Sequence, residues 1–247
     1  MTGALNDQVI FITGAASGIG RATADAARRA GAHVVGADMG GQDALADLDL
    51  AFNLDVTDPD ALTEAANQIA YEFGRIDGLV TCAGISVVGT AVDVPLVDWQ
   101  RALDVNLTGT MLSARAVLPH MAKVGKGSII TLSSIYGMTG GTGNLPYNVT
   151  KGGVLQLTRS LAADYGPAGI RVNALSPGFI ETPMTMALQS ESPVRSAFID
   201  MHLLKRAGRA EEVAKVAVFL LSDDASFVTG ANIPVDGGFS AAQVIRF

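Results

Sequence analysis

The sequence predicts a doubly wound α/β fold: about seven strands in one parallel sheet with helices on both faces. Three observations carry this. Short apolar runs alternate with longer stretches of helical period from one end of the chain to the other. The runs are continuously apolar, as in strands covered on both faces, rather than alternating as in half-exposed ones. No linker, repeat or low-complexity segment interrupts the pattern. Parallel strands need long crossovers, and crossovers of one hand place helices on both faces of the sheet.

Each element follows in order. Val9-Ile10-Phe11-Ile12 reads as a buried strand and 18–30 as a helix, with Ile19, Ala22, Ala26 and Ala30 on one face and Gly31 as its stop. His33-Val34-Val35 is the second strand, and 41–47 has room for a turn or two of helix. A third buried strand runs from Leu50 to Leu54, followed by a helix at 59–73 and a strand at Gly78-Leu79-Val80. One long helix is expected at 96–122, then a strand at 128–132, a helix at 147–165, a strand at 171–175 and a helix at 210–221. Ile233-Pro234-Val235 suits a sheet edge, where proline is tolerated. Residues 183–209, rich in Met, Ser and Pro, read as a substrate lid within a single domain over 1–247.

Composition narrows the partners. The chain has 247 residues and 49% hydrophobic content, near the upper end of what one core holds. Only 17% of residues are charged, against roughly 25% in ordinary soluble proteins. With 28 glycines and abundant alanine, this points to surface buried in an oligomer, and we expect a homotetramer with residues 237–247 in its contacts. A net charge of −7 without any basic run argues against a nucleic-acid partner. No apolar run approaches the roughly 18 residues that span a bilayer, and Met1 to Asn6 lack a secretory pattern, so no membrane partner and a cytoplasmic location are expected. One cysteine, Cys82, and three scattered histidines give neither an internal disulfide nor a metal-ligand cluster.

Chemistry in such a sheet belongs at the carboxyl ends of the strands. After the first strand, Thr13-Gly14-Ala15-Ala16-Ser17-Gly18-Ile19-Gly20 runs straight into a helix, where glycines permit a tight turn and free N–H groups favour a pyrophosphate. Asp38 ends the second strand, eighteen residues past Gly20, where a carboxylate accepts hydrogen bonds from the adenosine ribose and repels a 2′-phosphate; this favours NAD. Asp55, with Val56 after it, is placed to meet the adenine, or equally to begin a helix near Asp58. Tyr147 and Lys151 stand four apart on one face of a helix opened by Pro146, and Ser133-Ser134 follow the fifth strand. Asn106 lies mid-helix, where an amide is a poor helix former and wants a specific partner. A phenol of pKa about 10 needs a nearby cation to deprotonate an alcohol near neutral pH, and an ammonium one helical turn away supplies it.

Gly14, Gly18, Gly20, Cys82-Ala83-Gly84, Asn106, Ser134, Tyr147, Lys151, Pro177-Gly178 with Thr182, and Asp236-Gly237-Gly238 fall in an order and spacing that resembles the short-chain dehydrogenase/reductase family over essentially the whole chain. The resemblance implies a Rossmann-like fold and hydride transfer between NAD(H) and a secondary alcohol or ketone. It implies Tyr147 as general acid/base, Lys151 lowering the Tyr147 pKa and bonding the nicotinamide ribose, Ser134 holding the substrate oxygen, and Asn106 supporting a water that links Lys151 to solvent. Ser17, Ile19, Ala83 and Gly84 join the cofactor set, with Tyr147 and Lys151 at its nicotinamide end. Pro177, Gly178, Ile180 and Thr182 would fix the carboxamide. Two departures stand out: Cys82 replaces the family's asparagine, and Val149-Thr150 replace small residues inside the tyrosine motif. The substrate is a small alcohol, polyol or hydroxy compound; a 3-oxoacyl thioester reductase and a non-catalytic nucleotide-binding scaffold stay open as alternatives. Pocket walls are expected from Ile85, Val87, Val88, Ile135, Met138, Leu145, Phe179, Met184, Met186, Leu188 and Leu203, with Thr139, Thr142, Asn144 and His202 to read hydroxyls.

Overall fold

In the computed structural model, which describes residues 3–40, 42–188 and 193–242, strand and helix alternate as the periodicity requires. The elements run β1 (Val9–Thr13), α1 (Gly18–Arg29), β2 (His33–Asp38), α2 (Gln42–Leu45), β3 (Leu50–Asn53), α3 (Pro59–Phe73), β4 (Gly78–Thr81), α4 (Leu96–Ala102) and α5 (Gly109–Val124). They continue with β5 (Gly127–Leu132), α6 (Ile135–Met138), α7 (Leu145–Tyr165), β6 (Ile170–Pro177), β7 (Ile180–Glu181), α8 (Pro193–Asp200), β8 (Gly208–Arg209), α9 (Ala210–Leu221) and β9 (Asn232–Val235). Seven strands form one sheet in the order β3-β2-β1-β4-β5-β6-β9, and every neighbouring pair is parallel. The order reverses between β1 and β4, which opens a crevice beyond their carboxyl ends.

Alternation along the strands builds two cores. Ile10 and Ile12 of β1, with Val80 and Ile130, pack against the small faces of α1 (Ala24, Ala27) and α9 (Ala214, Ala217). Val9 and Phe11, with Leu79 and Ile129, meet α3 (Leu62, Ile69) and α5 (Val117, Met121) on the other side. Each fully buried large apolar side chain contributes roughly 1.5–3 kcal/mol. The sheet is thus held rigid from both faces, and its loops are presented along one edge.

Three expectations need correction. β3 is not a buried strand: Ala51 and Asn53 are exposed, because β3 is the sheet edge and the connection before it carries only the single turn α2. The long helix at 96–122 is broken by a π-helical turn, Leu103–Thr108, between α4 and α5. The lid region is more structured than its weak periodicity suggests, holding a 3-10 stretch Pro183–Leu188, helix α8, and β8 paired in parallel with β7. Residues 189–192 of the lid and 243–247 of the expected contact segment lie outside the described residues.

Candidate active site

The glycine turn after β1 is shaped by close backbone approach. Gly14 has φ +70°, and a Cβ there would stand 2.5 Å from the Ala83 nitrogen. A Cβ on Gly20 would run into the Gly14 carbonyl and come 3.1 Å from Cys82 Cβ. Ser17, at the N-cap of α1, makes no side-chain cap, and the first turn holds no acidic residue. That leaves a positive helix end facing a groove lined by backbone. The groove, of about 290 Å³, is lined by Gly14, Ser17, Gly18, Ile19, Gly20, Asp38, Asp55, Val56, Ala83, Gly84 and Thr182 among the expected residues. An elongated, backbone-walled groove at a helix N-terminus, with a carboxylate at its side, fits a dinucleotide.

Asp38 is fixed by the turn it faces: its Oδ2 accepts the Ala16 N–H at 3.0 Å. Asp55 Oδ1 accepts the Thr57 N–H at 2.9 Å, while the cap of α3 is Asp58, which accepts from Asp60 and Ala61. The groove does not extend to Pro177, Gly178 or Ile180. Pro177 ends β6 in the interior, and Gly178 and Ile180 border a separate cavity of about 420 Å³. Thr182 stays on the groove, its Cβ 3.4 Å from where a Gly18 Cβ would lie.

The catalytic candidates converge at the ends of β4 and β5. Asn106, completely buried in the π-turn, accepts the Ile85 N–H at 2.8 Å and donates from Nδ2 to Ile85 O (3.0 Å) and Thr150 Oγ1 (3.1 Å). Thr150 Oγ1 donates in turn to Tyr147 O at 2.9 Å. The threonine that departs from the family pattern therefore joins Asn106 to the helix that carries Tyr147. A Cβ on Gly84 would stand 3.2 Å from Asn106 Oδ1 and 3.6 Å from Lys151 Nζ, so these three groups meet at one point. Beside them the loop after β4 is zipped to the start of α7, with Gly89 N donating to Gly143 O (2.7 Å) and Leu145 N to Gly89 O (3.0 Å).

Lys151 is buried, and its Nζ donates to Leu132 O at 2.8 Å and lies 5.6 Å from the centre of the Tyr147 ring. Ser133 Oγ donates to the Lys151 carbonyl at 2.8 Å, clamping α7 to β5. Burial brings the Lys151 pKa down to about 8. Burial also raises that of Tyr147, against which the Ser134 hydroxyl, hydrogen-bonded to the phenol, pulls it down. In the protein without cofactor, burial outweighs the Ser134 hydrogen bond at the phenol, while the Lys151 ammonium is directed at the Leu132 carbonyl. Ser134 caps α6, its Oγ accepting the Tyr136 N–H at 3.2 Å.

Several expected pocket residues serve the frame instead. His202 is buried with both ring nitrogens engaged: Nε2 accepts the Phe179 N–H (3.1 Å) and Nδ1 bonds Phe198 O (2.8 Å), so it reads no substrate hydroxyl. Ile135 is a core residue, whereas Phe179, though buried, also lines the cavity of about 420 Å³ together with His202 and Leu203. Met138 Sδ accepts from Asn232 Nδ2 at 2.9 Å, and the Leu188 side chain lies outside the described residues. The Cys82 thiol, pushed up to about 12 by burial, stays protonated. Sequence reasoning named Ser133 and Thr150 without assigning them a tie, since their partners Lys151 and Asn106 lie 18 and 44 residues away, and it missed Tyr136 and Asn148.

Among the described residues no helix is long and apolar enough to cross a membrane, and no group of three His, Cys, Asp or Glu side chains could hold a metal ion. The model of the family described as enoyl-(acyl carrier protein) reductase matches residues 14–240. The chain is 39% identical over 245 residues to a meso-2,3-butanediol dehydrogenase of Serratia marcescens, covering 96% of both. It is 39% identical over 243 residues to a 3-oxoacyl-[acyl-carrier-protein] reductase of Thermotoga maritima, covering 95% of this chain and 98% of that one. Its structure superposes on the ligand-free aldohexose dehydrogenase of Thermoplasma acidophilum with a TM-score of 0.92 at 33% identity, covering 100% of this chain and 99% of that one. With sequence, fold and site order in agreement over nearly its full length, the chain belongs to the short-chain dehydrogenase/reductase family, and is an oxidoreductase of CH–OH groups that works with a nicotinamide cofactor.

Proposed function

We propose that the chain is an NAD(H)-dependent dehydrogenase of a small secondary alcohol, polyol or hydroxy compound, acting in the cytoplasm as a homotetramer. The observation that carries the cofactor choice is the Asp38 carboxylate beside the groove, held by Ala16 N at 3.0 Å, where a 2′-phosphate would meet a like charge. Arg21, a nearby cation, is committed elsewhere: two bonds of 2.8 Å to Asp47 and an ion pair of 3.0 Å with Asp25. The names of the relatives, a butanediol and an aldohexose dehydrogenase, support hydroxyl-bearing substrates.

When bound, the nicotinamide supplies the hydride acceptor. The chain's own groups handle the proton and the geometry. Ser134 holds the substrate oxygen with its hydroxyl, and Tyr147 takes the hydroxyl proton at its phenolic oxygen as hydride leaves the adjacent carbon. Lys151 holds the nicotinamide ribose, and Asn106, through Thr150 and Ile85, keeps Tyr147 and the loop after β4 in register. The thioester-reductase reading is second, kept by the Thermotoga relative; Asp38 opposes the NADPH use common to such reductases.

A screen of secondary alcohols and polyols, read by NADH absorbance, tests the reaction. NAD should be favoured over NADP by at least roughly tenfold in kcat/KM, about 1.4 kcal/mol, and Asp38→Ala should shrink the ratio. Equal use of both cofactors by the unmodified enzyme would refute the assignment.

A further inference from the structure

His202 is a buried, titratable side chain to which the mechanism gives no role. Its ring sits where the turn after β6, helix α8 and the end of β9 meet. The Phe179 N–H donates to Nε2 at 3.1 Å, which makes Nε2 an acceptor; the ring proton is therefore on Nδ1, and it is donated to Phe198 O at 2.8 Å. Only this neutral form satisfies both bonds. Phe198 and Phe239 flank the ring with centroids 5.7 and 5.2 Å away. A Cβ on Gly178 would stand 2.7 Å from Nε2 and 3.1 Å from Asp236 Cβ, so Asp236 lies just across Gly178 from the nitrogen that Phe179 occupies. Burial opposes the charge on Asp236, but bonds from Ser240 (2.6 and 2.9 Å) and Gly238 (2.9 Å), with His202 nearby, hold its pKa below the ordinary value.

The turn 178–180 is held by three bonds: Gly178 N to Val235 O (3.0 Å), Gly208 N to Phe179 O (2.8 Å) and Phe179 N to His202. The first two join backbone groups whose roles do not change with pH. The third ends on a ring that a proton converts from acceptor to donor, and an imidazolium has no acceptor left. Protonation therefore sets N–H against N–H at Phe179, where neither residue is open to water, and draws the ring toward Asp236. The other charges around the ring are engaged or exposed. Arg206 and Glu212, on the same cavity, pair with each other at 2.8 and 2.6 Å, and Arg195 of α8 pairs with Glu181 at 3.1 Å. Lys205 Nζ donates to Asp200 O, and both of these side chains are exposed. We propose that His202 is a positioning residue for the cofactor: in its neutral form it ties the turn 178–180, just ahead of Thr182 on the groove, to helix α8 of the lid, and on protonation it releases both, so that cofactor binding weakens in acid. This rests on the dinucleotide reading of the groove and adds its regulation.

The tie is complete at high pH and is lost as pH falls through the range, about 5 to 8, in which imidazoles change charge. Binding rather than turnover tests it, because turnover also follows the proton on Tyr147. NADH titrations read by nicotinamide fluorescence at pH 8 and pH 5.5 compare the wild type with two variants. His202→Gln keeps an uncharged acceptor for Phe179, and Asp236→Asn removes the counter-charge that draws the imidazolium. Wild-type affinity should fall about tenfold between the two conditions, the scale of one hydrogen bond lost from a buried site. His202→Gln should change less than about twofold over the same span, and Asp236→Asn should lose less than the wild type, its loss moved to lower pH. Lys151, with a pKa of about 8, also gains protons here, but all three proteins share it and it cancels in the comparison. Protease sensitivity of the lid, relative to His202→Gln at each pH, should rise in acid in the wild type. A wild-type affinity that does not fall, an equal fall in His202→Gln, or an Asp236→Asn profile identical to the wild type overturns the proposal and leaves the cofactor reading standing. A wild type that binds neither NADH nor NADPH at pH 8 overturns both.

Discussion

Lys151 carries a charge in a place that disfavours charge, and the consequence is measurable without any substrate. Its folded pKa is about 8 against 10.5 for the exposed side chain. Between those values the unfolded chain binds more protons, so stability rises with pH; the cost is fully present below about 8 and gone above about 10.5. The size is about 3 kcal/mol. Urea unfolding of the wild type and Lys151→Met at pH 7 and pH 10 should show the wild type gaining on the variant as pH rises, and a constant difference would refute the buried ammonium. Tyr147 gives a companion prediction. Because burial raises its pKa in the protein alone, the phenolate absorbance lost in Tyr147→Phe should appear above pH 10 in the apoprotein and at lower pH once NAD⁺ brings its positive charge. Tyr147→Phe should abolish turnover by several orders of magnitude yet bind NADH nearly as well as the wild type. Retained turnover would end the proposed mechanism.

Elements were legible where a long period or a special residue announces them, and hidden where a partner far along the chain decides. The strand positions and the glycine turn stand in the sequence because apolar runs and Gly14, Gly18 and Gly20 have no other economical use. The edge character of β3 does not, since Leu50 to Leu54 looks apolar whether or not a helix covers it. The π-turn at Asn106 is equally silent: it exists because the amide is pulled to Ile85 and Thr150, contacts 21 and 44 residues away. His202 misled for the same reason, its partners Phe179 and Phe198 turning an apparent pocket group into a tie. That tie sharpens the prediction for the lid. With β8 paired to β7 and His202 bonded to Phe179, limited proteolysis of the apoprotein should cut within 183–209 on the N-terminal side of His202, and NADH should suppress the cut. Cleavage unchanged by NADH, or concentrated after His202, would remove the lid.

At the scale of the whole molecule, the question is where a chain with 17% charged residues hides its apolar surface. Among the exposed large apolar side chains of the described residues, two sets on different elements are candidates. Val88, Val92, Leu96 and Val97 are exposed between β4 and the start of α4. Far along the chain, Phe227 is fully exposed just before β9, the outermost strand on its side of the sheet. Single exposed apolar residues are ordinary, but a cluster on one element and a fully exposed aromatic on another suit two contacts rather than one. Two different self-complementary interfaces on one chain generate a tetramer of dihedral symmetry, whereas one gives only a dimer. Light scattering at micromolar concentration should therefore report four times the mass of a single chain. The two interfaces should also come apart separately: Leu96→Glu with Val97→Glu should leave dimers, Phe227→Glu should leave dimers of the other kind, and the three together should leave monomers, because each charge must be desolvated to close only its own contact. A wild-type monomer would show that both patches face solvent, and loss of all assembly from either change alone would show that they belong to a single interface.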